Sequence, residues 1–131
     1  LLDELHDRRL EFDMLTTISD WTKHHIVALS YRGIRIDRLK PLIPAYLHVL
    51  DRATEESWLE RPIRIGSAEG LILLKLLAFR AQDQLDIENL VSANRDTLDL
   101  EWIKSEWETL AEPTDPRMLR LMELVEKSSL K

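Results

Sequence analysis

The 131-residue chain contains no cysteine. A disulfide framework and any thiolate zinc site are therefore excluded, and a reducing compartment such as the cytoplasm is the expectation. Glycine is nearly as scarce, and three of them cannot build a Gly-rich phosphate loop. No apolar run spans a bilayer: the best, residues 70–79, is too short and is broken by Lys75. Nor is there an excess of positive charge. The net charge of −6 argues against broad electrostatic binding to nucleic acid. No secretory signal is visible, and D-x-D occurs nowhere in the chain.

What is present is ordinary for a globular domain, with 44% apolar and 32% charged residues. We expect one domain over residues 1–131, with a sheet-bearing half to about residue 66 and a helical half after it. Charge is unevenly spread. Lys23, Arg32, Arg35, Arg38 and Lys40 stand against Asp37 alone, whereas carboxylates dominate residues 81–112. Two complementary solvated faces, or a phosphate-binding basic one, would both produce this pattern.

The centre of the chain is G-S-A-E-G-L-I-L-L-K-L-L-A-F-R-A-Q-D-Q-L-D-I, residues 66–87. A helix apolar nearly all round is buried nearly all round, so a lone Lys75 within it needs a carboxylate or a polar cleft. Asp83 and Asp86, three residues apart on one helix face, are the candidate partners. Ser67 reads as the N-cap, Glu69 suits the first turn, and Gln82-Asp83 reads as the break before the next helix.

Upstream, 25–31 and 34–39 flank Arg32-Gly33 as a β-hairpin, with Ile34 and Ile36 on one face and Arg35 and Asp37 on the other. Trp21 reads as an anchor for the turn before the first strand. Residues 1–8 suit a short amphipathic helix. Pro44 opens a helix whose buried stripe is expected to be Ile43, Tyr46, Leu47 and Leu50. Residues 51–61 read as a polar connection holding Trp58, and 63–65 as a short strand. Downstream, 92–97 reads as a polar joint. Asp99 caps a helix burying Leu100, Ile103, Trp107 and Leu110, and Asp115-Pro116 launches the last, burying Met118, Leu121, Met122 and Val125 before fraying from Glu126. The class is α+β: a small antiparallel sheet on five or six helices, the C-terminal half all helical. The adjacent His24 and His25 share no face and read as turn residues.

The register E-x5-K-x4-R-x2-D-x2-D, from Glu69 to Asp86, resembles the C-terminal signature of nucleotidyltransferase-fold proteins of the AbiEii-like and minimal-nucleotidyltransferase kind. The resemblance covers about residues 25–110. It implies Mg²⁺-dependent transfer of a nucleotide from an NTP to a hydroxyl on RNA, a protein or a small molecule, in a toxin–antitoxin setting with an antitoxin-type protein partner. By resemblance Asp37 is a metal-holding catalytic carboxylate, and Lys75 and Asp83 are catalytic. Lys75, Arg80 and Asp86 are nucleotide-binding. Simpler roles stand beside these: a surface pair of Asp37 with Arg35 or Arg38, an internal bridge for Lys75, and a helix end closed by Arg80. The family's Gly-Ser turn leads into a D-x-D strand, whereas Gly66-Ser67 here opens a helix. We therefore expect a fragment whose D-x-D part belongs upstream of Leu1 and which is inactive alone. The alternative is a non-catalytic protein-interaction module that keeps the fold.

Overall fold

Two dipeptides, Arg32-Gly33 and Leu59-Glu60, reverse the chain with positive φ at both positions: 51° and 78° in the first, 48° and 62° in the second. Two successive left-handed residues match the right-handed twist of the flanking strands, and each dipeptide closes a hairpin. Gly33 adopts this geometry freely; Leu59 and Glu60 adopt it at a cost. The computed structural model describes residues 9–129. The helix read over residues 1–8 lies outside them.

By contact the chain groups into two compact units, Leu1–Leu42 and Ile43–Lys131, a break upstream of the division at residue 66 read from the sequence. In the first, helix α1 (Met14–Lys23) begins at Asp13, whose carboxylate accepts the Thr16 N–H at 2.8 Å. Strands β1 (Ile26–Tyr31) and β2 (Ile34–Leu39) form an antiparallel ribbon in which Leu29 faces Ile36 and Val27 faces Arg38. Val27 and Leu29 are buried, but β2 is exposed at all six positions. Ile34 and Ile36 thus share one face with the buried residues of β1 without being buried themselves. Trp21 lies inside α1, not in the turn after it, and the Arg38 guanidinium sits 5.5 Å from its ring centroid.

In the second unit, α2 (Pro44–Asp51) buries Ala45 and Val49, not Leu47 and Leu50, which face outward. Stretch 54–58, read as a polar connection, is strand β3 (Thr54–Trp58), paired with β4 (Arg61–Ile65) in a second sheet of its own. Arg64 of β4 donates to the carbonyls of Leu50 and Ala53, tying the ribbon to the end of α2.

Helix α3 (Ala68–Ala78) starts where Ser67 Oγ accepts the Gly70 N–H, and it ends at Phe79, which adopts the left-handed conformation. The break therefore falls at Phe79-Arg80, before the expected Gln82-Asp83. Then come α4 (Ala81–Asn94), which runs into the stretch read as a polar joint, α5 (Leu100–Glu108) and α6 (Pro116–Ser129). Asp99 caps α5 by accepting the Trp102 N–H, and α6 is helical through Ser129 rather than frayed from Glu126.

The core of this unit gathers Ile72, Leu73 and Leu76 of α3 with Ile87 and Val91 of α4, Ile103 and Trp107 of α5, and Met118, Leu121 and Leu124 of α6. Each fully buried aliphatic side chain contributes about 1.5–3 kcal/mol relative to exposure. Gly70 lets α3 approach α2 closely, because a Cβ there would lie 2.9 Å from Val49 Cγ1. The chain is α+β, with six described helices, two two-stranded antiparallel sheets and an all-helical stretch after residue 66. Among the described residues no helix is long and apolar enough to cross a membrane.

Candidate functional site

Lys75 stands on the last turn of α3, its side chain 32% exposed. Its ammonium donates to Asp86 Oδ2 at 2.6 Å and to Asp83 Oδ1 at 3.2 Å, both on the first turns of α4. The left-handed Phe79 turns the chain sharply enough to bring these carboxylates back over the lysine. Asp83 is the anchor of the cluster. It is 2% exposed, and its Oδ2 accepts from both Nε (2.8 Å) and backbone N–H (3.1 Å) of Arg80. That backbone bond is the acidic half of a capping box, because Asp83 is the N3 residue of α4. Gln82 Nε2 donates to Asp86 at 2.9 Å and completes the rim.

The electrostatics follow from these contacts. The Arg80 side chain, its backbone N–H and Lys75 together outweigh the burial penalty and hold the Asp83 carboxyl down at about 2. Lys75, followed by Gln82, lowers Asp86. Lys75 is raised in turn, chiefly by Asp86, with burial opposing and Asp83 assisting. All four groups are therefore charged at neutral pH. Two cations and two anions meet in the cluster. Two of the three ammonium donors of Lys75 are used within the cluster, and its side chain is 32% exposed.

Glu69 belongs to a different network, a connection that its position in the sequence register does not reveal. It is buried at the opposite end of α3, where Oε1 accepts the backbone N–H of Asp99 at 3.1 Å and Oε2 lies 3.7 Å from Arg52 Nε. Burial pushes the Glu69 carboxyl up, but hydrogen bonds from Asp99, its own backbone and Ser67, with the Arg52 charge, bring it below the usual range. Arg52 also donates to Asp99 at 2.9 Å and stacks over Trp102, 4.8 Å from the ring centroid. This group ties α2, α3 and α5. Beside it, His48 Nδ1 lies 2.8 Å from Glu106 Oε2 in a shallow, open recess of about 330 Å³. The partners are 58 positions apart in sequence, which leaves no local signal for the pair.

Asp37 lies in the other unit, on β2, exposed and bonded to Arg35 Nε at 2.8 Å. It is the surface pair that the sequence allows. Among the described residues no group of three His, Asp or Glu side chains is placed to hold a metal ion. Of the tryptophans, Trp107 is buried, Trp102 is covered by Arg52, and Trp58 projects from β3. No family model, curated protein or solved structure matches the chain.

Proposed function

We propose that this chain is the C-terminal portion of a nucleotidyltransferase-like protein, in which Lys75 is held by Asp83 and Asp86 to meet a phosphate. The observation that carries the reading is the cluster itself. Four of the five positions of the sequence register, Lys75, Arg80, Asp83 and Asp86, meet in one bonded network at a helix–helix corner. A core-forming helix has no need of such a group, since an apolar residue in place of Lys75 would be no costlier to bury.

In this reading the ammonium keeps two donors on the carboxylates and offers the third to a phosphate oxygen of an NTP. Fixing a point charge in advance removes the cost of ordering it when the nucleotide binds. Arg80, largely exposed on the rim, reaches phosphate or closes the cluster. In-line displacement requires charge stabilisation of both the attacking and the leaving oxygen. Asp37 would supply one carboxylate toward Mg²⁺, and the rest would come from a Gly-Ser and D-x-D stretch outside this chain. The acceptor is a hydroxyl of RNA, a protein or a small molecule, in a cytoplasmic toxin–antitoxin setting with a protein antitoxin.

The test is transfer of label from a radioactive NTP by a parent protein carrying G-S and D-x-D upstream. Transfer should vanish on Asp37→Ala and on Lys75→Ala, and the 131-residue chain alone should transfer nothing. A complete parent indifferent to both substitutions, or robust transfer by the isolated chain, overturns the reading.

A second reading, a non-catalytic interaction module, draws on the charge balance of the same cluster. A satisfied, neutral network also serves as a latch between two helices. An inactive parent that still binds its protein partner through the helical unit would favour it.

A further inference from the structure

Among the described residues the two β-ribbons leave four strand edges, and their chemistry differs. The outer edge of β1 is occupied at its end, where Glu11 and Ser30 exchange backbone hydrogen bonds of 2.7 and 2.9 Å. The outer edge of β4 carries Pro62, which has no N–H to donate. The edges of β2 and β3 carry neither device, and all residues of both strands are exposed. A lone two-stranded ribbon is marginal in water, and an open edge is a template for another strand.

Charge selects the partner of each edge. Strand β2 presents Arg35 and Arg38 against Asp37, with Arg32 and Lys40 at its ends. Strand β3 presents Glu55 and Glu56, with Glu60 in its turn. In the register that sets position 35 across from 38, two copies of β2 oppose arginines, and with 55 across from 56 two copies of β3 oppose carboxylates. Pairing β2 with β3 opposes unlike charges and also matches apolar surface, because Ile36 is 41% and Trp58 64% exposed.

We propose that β2 of one copy of this chain adds to β3 of a second copy, antiparallel, with Ile36 across from Trp58 and Arg38 across from Glu56. In that register Ile36 and Arg38 share one face of β2, and Trp58 and Glu56 share one face of β3, so both contacts form on one side. Asp37 then faces Ser57, and no like charges meet. The strained Leu59-Glu60 turn, with both residues left-handed, fixes Trp58 at the tip of its ribbon.

Sedimentation equilibrium of the wild-type chain, from micromolar to near-millimolar, should give a mass of two chains or more. Arg38→Glu and Glu56→Arg should each weaken association at least about tenfold. Circular dichroism and thermal melting would verify that both remain folded. An equimolar mixture of the two variants should regain association, because each reversed strand finds its complement on the other copy. A chain carrying both substitutions should also self-associate. A monomeric wild type across the whole range overturns the proposal, and so does a mixture that associates no better than its components.

Discussion

Two guanidinium–carboxylate pairs in this chain have the same length and opposite surroundings. Arg35 Nε to Asp37 and Arg80 Nε to Asp83 both measure 2.8 Å. The Asp37 side chain is 47% exposed, whereas Asp83 is 2% exposed and takes two more hydrogen bonds, from Lys75 and from a backbone N–H. Distance therefore says little about what each pair contributes. Water beside Asp37 can replace its partner at small cost; nothing replaces the partners of Asp83. The same contrast separates two of the expected site residues, Asp37 in a surface pair on an exposed strand and Asp83 at the centre of a corner between helices.

The largest test of that contrast is Asp83→Ala. It strands Lys75 beside a single carboxylate and removes the N-terminal cap of α4, so denaturant melts should show a loss of about 3–5 kcal/mol. Lys75→Met should cost less, about 1–3 kcal/mol, because Asp83 keeps both bonds from Arg80. Asp37→Ala marks the other pole, with an expected loss of about 0–1 kcal/mol by the same measurement. A large loss there would erase the distinction between the two pairs.

Acid titration sharpens the comparison further. Asp83 and Asp115 are both held down at about 2, each chiefly by an arginine, Arg80 in one case and Arg117 in the other. A carboxyl depressed in the folded chain contributes stability that is complete above its unfolded pKa, about 3.9, and is lost as pH falls through its folded value. Stability should therefore decline between about pH 4 and about pH 2. Asp83→Asn should flatten that decline when midpoints are followed across the window. An acid limb as steep in Asp83→Asn as in wild type would remove Asp83 from the account.

The chain announced the buried corner and the first ribbon more clearly than the second ribbon. A single ammonium among Ile72, Leu73, Leu74, Leu76 and Leu77 demands a carboxylate, and Asp83 and Asp86 are the first ones downstream. Ser67, Asp99 and Asp115-Pro116 marked helix starts because capping is a local matter of one side chain and one N–H. Strand β3 gave no such signal. T-E-E-S-W lies on an all-exposed ribbon, so no alternation of apolar and polar residues betrays it. In α2 both stripes fit a helical period; the close approach permitted by Gly70 selected Ala45 and Val49 over the larger Leu47 and Leu50. The left-handed Phe79 was also hidden, since an aromatic residue is not the usual helix terminator. The Glu69–Arg52–Asp99 group joins residues far apart in sequence, and no local pattern encodes such a meeting.

The central claim is that Lys75 and Asp83 act as one unit, and a double-mutant cycle tests it directly. Denaturant melts of wild type, Lys75→Met, Asp83→Asn and the double variant give the coupling between them. The bonded corner predicts non-additivity of about 1–3 kcal/mol, the double variant losing less than the sum of the singles. Losses that add to within about 0.5 kcal/mol would show that the two side chains form no such pair in solution.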